Sequence, residues 1–233
     1  MEKPSFNVID LFCGCGGFSL GFERAGFNVL LGIDVWKDAL STFRFNHKNS
    51  QALQADLSIL SPEEIENKLE GKRVDVIIGG PPCQGFSIAG KRIVDDIRNK
   101  LYKNFVHFVE HFKPQAFVME NVPNILSIGN GVVRQSIISD FSKLGYTVEY
   151  KILMASDYGV PQNRRRAIFV GFRDGRHFEF PAPFETHKVT SEEALSDLPE
   201  NSLNDGSQYP CPPRSQYQGL MRANSSALNN HQT

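Results

Sequence analysis

The feature that most constrains the fold of this chain is the regular alternation of short apolar runs with longer amphipathic segments. The runs are typical of buried strands, whereas the segments between them carry apolar residues at helical spacing. This alternation predicts βαβ units and therefore an α/β fold, with a doubly wound, mostly parallel sheet covered by helices on both faces. The predicted strands are NVIDLF (7–12), NVLLGID (28–34), QALQAD (51–56), VDVIIGG (74–80), QAFVMENV (115–122), TVEYKILMA (147–155) and RRAIFVGFR (165–173).

The fold class predicts where functional residues lie, because open parallel sheets bind ligands outside the carboxyl ends of their strands. Glycines, carboxylates and a proline–cysteine turn follow the predicted strands at those positions. They are Gly14–Gly17, Asp34, Asp56, Pro81–Ser87 and Glu120–Pro123.

The chain changes character beyond residue 173. Residues 174–233 are rich in proline, polar and aromatic residues, and SEEALSDL (191–198) is the one helix predicted there. We therefore expect a catalytic domain over 1–173 and an irregular arm over 174–233. No apolar run approaches the roughly 18 residues that span a bilayer, and the start is unlike a signal peptide. Four cysteines at irregular spacing favour free thiols in the cytoplasm and no metal site.

The glycine-rich turn DLFCGCGGFS (10–19) predicts a nucleotide-type ligand site between the first strand and helix. Asp34 follows about 20 residues later, where a carboxylate can bind ribose hydroxyls, and Asp56 can accept from an adenine amino group. The alternative for each aspartate is a local capping role. The glycine register departs from the dinucleotide fingerprint and no basic residue is placed for a pyrophosphate. This favours S-adenosylmethionine over NAD.

GGPPCQGFS (79–87) places Cys83 after two prolines that fix the backbone. A lone free cysteine is more often buried and inert. Glu120, however, ends the next strand in MENVP and converges on the same edge, where a carboxyl can hold or give a proton. The pair predicts a nucleophile opposite an acid–base group, with a salt bridge or cap as the alternative for Glu120.

In this order the motifs resemble those of the DNA (cytosine-5)-methyltransferase family over residues 7 to 173. They are DLFCGCGGFS, GIDVW, ADLS, GGPPCQGFS, DIRNKL, MENVP and QNRRR (162–166). The resemblance implies the Rossmann-like fold of S-adenosylmethionine-dependent methyltransferases. It also implies DNA as the partner and methylation of cytosine carbon 5, as in restriction–modification systems.

The resemblance also implies residue roles. Cys83 would attack carbon 6 of a cytosine taken out of the duplex stack, while Glu120 holds ring nitrogen 3. Arg164 and Arg166, with Gln162, match the family's QxRxR spacing near the base carbonyl and catalytic loop. For the cofactor it implies a binding set of Phe12, Gly14, Gly16, Gly17, Asp34, Asp56, Pro82 and Leu101. The basic segment 91–103 would approach DNA phosphates, although the net charge of −1 gives no overall sign of nucleic-acid binding.

The family's target-recognition domain and closing motifs are absent from this sequence, so the resemblance implies a C-terminally incomplete fold. We expect one chain of a split enzyme, with a second chain supplying the rest, or a truncated form. Two other functions stay open: a non-catalytic fragment that binds S-adenosylmethionine or DNA, and methylation of RNA by the same chemistry. A dehydrogenase is a more distant alternative.

Overall fold

The protein forms a seven-stranded sheet with the strand order β3-β2-β1-β4-β5-β7-β6. The computed structural model describes residues 5–82, 101–184, 187–199 and 208–222. The strands are β1 (Asn7–Leu11), β2 (Asn28–Asp34), β3 (Gln51–Gln54), β4 (Val76–Gly79), β5 (Ala116–Asn121), β6 (Thr147–Met154) and β7 (Arg165–Phe172). The first five strands pair in parallel, and β7 pairs antiparallel with β5. The predicted α/β fold with a mostly parallel sheet is confirmed.

Seven α-helices lie within the described residues. They are α1 (Gly17–Arg24), α2 (Lys37–Asn46), α3 (Pro62–Lys68), α4 (Leu101–Phe112), α5 (Val132–Lys143), α6 (Ser191–Leu195) and α7 (Gln216–Arg222). Local sequence sets the start of α3, where Ser61 and Glu64 form a reciprocal capping box and Pro62 takes the first helical position. None of these helices combines the length and apolar composition needed to cross a membrane.

The core lies on both faces of the sheet. On one face, strand residues such as Ile9 and Phe117 pack with Phe105 of α4 and Phe141 of α5. On the other face, a smaller cluster joins the strands to Phe43 of α2. Neighbouring strand residues enter opposite clusters because side chains alternate across a strand. This arrangement holds the carboxyl ends of the central strands at one edge.

The chain divides into two compact units. The first contains residues 1–152 and 166–180, and the second contains residues 153–165 and 181–233. The second unit includes α7, a helix that the sequence did not predict in an arm expected to be irregular. Arg222 of α7 donates to the buried Asp197 carboxylate at 2.6 Å and stacks over the Tyr209 ring at 3.8 Å. The proposed boundary at 173 stays a prediction.

Candidate active site

The candidate site lies at the carboxyl ends of β1 and β4. The chain winds from β1 toward β3 on one side and from β4 toward β5 on the other, so these neighbouring strands mark the point where the direction reverses. A crevice at this point is the preferred ligand site of an open α/β sheet. The glycine turn follows β1, and Gly80–Pro82 follow β4.

The glycine turn adopts backbone conformations that few residues tolerate. Gly14 has φ 54° and Gly16 has φ 87°, and Phe12 takes φ 62° although it has a side chain. A Cβ on Gly16 would lie 2.1 Å from Nε2 of His47, so only glycine fits there. A Cβ on Gly14 or Gly17 would meet no described atom within 4 Å. The turn is therefore closed at its centre and open where a ligand can approach the backbone.

Asp34 joins the glycine turn directly. Its Oδ2 accepts a hydrogen bond from the amide of Gly14 at 2.8 Å, and its Oδ1 accepts from the amide of Trp36 at 2.9 Å. The carboxylate at the end of β2 is thus held beside the turn that follows β1. The structure brings these two predicted cofactor-binding features together.

Trp36 is a candidate that the sequence reasoning missed. It is the only tryptophan in the chain, and its side chain is 64% exposed. Large aromatic side chains are usually well buried. An exposed indole two residues after Asp34 offers a flat surface for a heteroaromatic ring. Its place in GIDVW, two residues after the strand-end carboxylate, was the available signal.

Asp56, Pro82 and Leu101 are the remaining cofactor candidates, and each has its own local environment. Asp56 is exposed and accepts from the amide of Ser58 at 2.8 Å, and hydrogen bonds from Ser58 lower the pKa of this carboxyl. This is the local capping role weighed above. Pro82 is exposed, and Leu101 is partly buried at the start of α4.

Glu120 and Arg166 form an ion pair at the end of β5. Arg166 lies on the neighbouring antiparallel strand β7, and its Nε is 2.5 Å from Oε1 of Glu120. The two side chains are 29% and 25% exposed, so the pair is half-buried yet open to a ligand. A Cβ on Gly80 would lie 3.2 Å from Oε2 of Glu120. Glu120 therefore stands directly beside the chain that leaves β4.

The other predicted catalytic residues are not part of this pair. Cys83 and the basic segment through Lys100 lie outside the described residues. Arg164 belongs to the second unit, where its carbonyl accepts from the amide of Ala155 at 2.9 Å and its side chain is exposed. Gln162 is also exposed in that unit. The roles of these three residues stay predictions.

Asp10 is a buried carboxyl beneath the glycine turn. It is 1% exposed, and its Oδ2 accepts from the hydroxyl of Ser19 at 2.6 Å. Its Oδ1 has no hydrogen-bond partner among the described residues. Burial is the main reason that the pKa of Asp10 rises from 3.8 to about 7. The folded protein thus carries a carboxyl that keeps its proton up to neutral pH.

This carboxyl predicts a pH dependence of stability. Between pH 4 and 7 the unfolded chain has released the Asp10 proton while the folded protein retains it, so stability falls as pH rises and levels off above about 7. We expect Asp10→Asn to flatten this dependence and to stabilise the protein at pH 8 by roughly 1–3 kcal/mol. Urea unfolding at pH 5 and pH 8 measures the effect. Asp174→Asn, at an exposed site, is the control, and an unchanged slope in Asp10→Asn would contradict the assignment.

Known proteins are similar to this chain over most of its length. The sequence model of the C-5 cytosine-specific DNA methylases matches residues 6–231. The chain belongs to this family. It is 44% identical over 206 residues to the type II methyltransferase M1.HphI of Haemophilus parahaemolyticus, covering 87% of this chain and 55% of that protein. It is 44% identical over 239 residues to M.DdeI of Desulfomicrobium norvegicum, covering 97% of this chain and 57% of that one.

A solved structure supports the methylase fold. It is that of a protein described as a putative DNA modification methyltransferase encoded within an E. coli prophage. The two superpose with a TM-score of 0.74 at 36% identity, over 89% of this chain and 59% of the other. This methylase chain therefore spans rather more than half the length of the relatives it matches.

Proposed function

We propose that this chain transfers a methyl group from S-adenosylmethionine to carbon 5 of cytosine in DNA, through a covalent adduct with Cys83. The observation that carries the proposal is that Glu120, paired with Arg166, lies beside Gly80 at the end of β4. Gly80 precedes Cys83 by three residues. The glycine turn and Asp34 follow β1 and β2 at the same edge of the sheet. The type II methyltransferase relatives agree with this reaction.

The residues of the glycine turn fit S-adenosylmethionine. The open faces of Gly14 and Gly17 admit a ligand against the backbone, while the closed side at Gly16 fixes the turn. Asp34 would bind the ribose and Trp36 would stack on the adenine. Phe12, Asp56, Pro82 and Leu101 would complete the pocket. When bound, S-adenosylmethionine supplies an electrophilic methyl group.

Cytosine is a poor nucleophile at carbon 5, and covalent catalysis by the protein removes that difficulty. The Cys83 thiolate would add to carbon 6 while Glu120 holds ring nitrogen 3, and the electron density gained at carbon 5 would take up the methyl group. Transfer of the carbon-5 proton to a solvent water would then restore the ring double bond and expel the thiolate. Arg166 would keep the Glu120 carboxyl oriented toward the base throughout.

The DNA substrate would present its target cytosine to Cys83 and Glu120. The target base must leave the duplex to reach Cys83, because carbon 6 is inaccessible inside the stack. The exposed side chains of Arg164 and Gln162 would meet the base carbonyl or the catalytic loop, and the basic segment 91–103 would meet phosphates. The relatives are type II methyltransferases, so a companion restriction enzyme and a cytoplasmic location are the proposed setting. A second chain that contributes to target recognition stays a prediction.

Trp36→Ala should weaken S-adenosylmethionine binding by about tenfold, since stacking of a base on an aromatic side chain contributes roughly 1–3 kcal/mol. The indole is exposed, so the free energy of unfolding should change little. Calorimetric titration measures the affinity. Phe45→Ala is the matched control, because Phe45 is an equally exposed aromatic residue on α2. Equal effects in the two variants would argue against stacking at Trp36.

The proposed reaction is tested with labelled S-adenosylmethionine and two acceptors, mixed-sequence DNA and transfer RNA, beside a blank without nucleic acid. Each reaction is run with the chain alone and with the remaining segment of a relative such as M.DdeI supplied in trans. Label in DNA at cytosine carbon 5 is the expected result. Label in transfer RNA alone would favour the RNA alternative. Cofactor binding without transfer, and without an adduct to fluorocytosine DNA in either condition, would favour a non-catalytic fragment.

A further inference from the structure

The chain that leaves β4 is enclosed by its neighbours on two sides. A Cβ on Gly79 would lie 2.1 Å from the carbonyl oxygen of Leu11 in β1, so the backbones of β4 and β1 are in direct contact there. One residue later, Gly80 lies against the Glu120 carboxylate. Backbone atoms cannot move aside as a flexible side chain can. The direction in which the chain leaves β4 is therefore restricted before it reaches the prolines.

Asn121 binds the next residue of that chain. Its Nδ2 donates a hydrogen bond of 2.9 Å to the carbonyl oxygen of Pro81, and the side chain is 4% exposed. Its Oδ1 accepts from the amide of Val122 at 2.9 Å. Both ends of the amide group are thus engaged, and the buried carbonyl of Pro81 has the partner that burial demands.

Glu120 and Asn121 contact successive residues of the segment from opposite sides. Side chains alternate along a strand, so neighbours at the end of β5 leave the sheet in opposite directions. Glu120 is beside Gly80, and Asn121 binds Pro81. The same two residues of β5 therefore provide the proposed acid–base group and the anchor of the segment that continues to Cys83.

We propose that Asn121 is a positioning residue for the nucleophile. Its hydrogen bond fixes the backbone at Pro81, and Cys83 follows two residues later through Pro82, whose φ is restricted by its ring. The inference rests on the proposed covalent mechanism. Small displacements of a reacting group lower a rate strongly, so the hydrogen bond contributes to the rate of attack rather than to cofactor binding.

Two variants of Asn121 test this role. Asn121→Asp keeps the size of the side chain and its acceptor for Val122, but presents an oxygen to the Pro81 carbonyl. Asn121→Ala removes the amide altogether, and serves if the buried carboxylate prevents folding. Tyr146→Phe is the matched control, because the Tyr146 hydroxyl also donates to a proline carbonyl in the core, that of Pro114 at 2.7 Å. It removes the same kind of bond at the opposite end of β5.

Two measurements are made on the full chain, with the complementing segment present in the second. Hydrogen exchange in peptides covering residues 76–84 should become about tenfold faster in the Asn121 variants and stay unchanged in Tyr146→Phe. The rate of adduct formation with fluorocytosine DNA should fall by at least about tenfold, with the Kd for S-adenosylmethionine within twofold of wild type.

The outcomes separate the inference from the proposed function. Exchange and adduct rates that match those of Tyr146→Phe would overturn the positioning role. So would faster exchange with an unchanged adduct rate. Failure of the wild type to form any adduct would instead reject the covalent mechanism. The exchange measurement alone would then decide whether Asn121 holds the segment.

Discussion

Cys83→Ser is expected to reduce methyl transfer to DNA by at least about 10³-fold, because a serine hydroxyl is a far weaker nucleophile than a thiolate at neutral pH. The loss should appear in kcat, since the proposed cofactor contacts of the glycine turn and Asp34 follow other strands. The variant should also fail to form the adduct with fluorocytosine DNA. Labelled methyl transfer and denaturing electrophoresis of the adduct measure the two effects.

The control for this substitution is Cys211→Ser. Cys211 lies in the second unit, where its backbone carbonyl accepts from Arg222 at 2.8 Å, and a serine retains that carbonyl. Activity should remain within about twofold of wild type. Equal methyl transfer by Cys83→Ser and wild type would remove Cys83 from the mechanism, whatever the behaviour of the control.

Glu120→Gln is expected to lower kcat by roughly 10²-fold, the range of a lost acid–base group. Glutamine has the same length, so it fits beside Gly80, where little extra space remains. It cannot pair ionically with Arg166 or exchange a proton with ring nitrogen 3 of the cytosine. The KM for S-adenosylmethionine should change little, because the glycine turn and Asp34 follow β1 and β2, away from the end of β5. Steady-state kinetics at saturating DNA separate the two parameters.

The matched control is Glu149→Gln, which breaks a surface pair with His177 at 2.7 Å in the same unit. Exposed ion pairs contribute little to stability, so this variant should behave as wild type in both activity and unfolding. A kcat for Glu120→Gln within threefold of wild type would show that the carboxyl is structural. Loss of folding in Glu120→Gln alone would point to the same conclusion.

Local patterns predicted the strands of the sheet well. Each of the seven predicted strands overlaps an observed one, and the local sequence at Ser61 and Pro62 sets the start of α3. These features depend on hydrophobic periodicity and capping, which operate over a few neighbouring residues. The short helix α7 was missed because helices of this length have little intrinsic stability and form through tertiary packing.

Some site residues were also identifiable from local sequence, whereas others depend on tertiary contacts. Asp34 and Glu120 were identifiable because they end strands, and the fold class places strand ends at one edge. The roles of Asp10 and Asn121 were not identifiable, because the first depends on burial and the second on a partner distant in the chain. Asn121 binds a carbonyl 40 residues away, and Asp10 lacks a partner for one oxygen within the described residues.

By itself the sequence determined the fold class, the family and the edge of the sheet where the chemistry belongs. All three follow from residue order and local periodicity. The tertiary structure decided which side chains meet: Asp34 with the glycine turn, Glu120 with Arg166, and Asn121 with Pro81. The physical reason is that hydrogen bonds and ion pairs act over a few ångströms, and only the packed sheet brings separate strands within that distance.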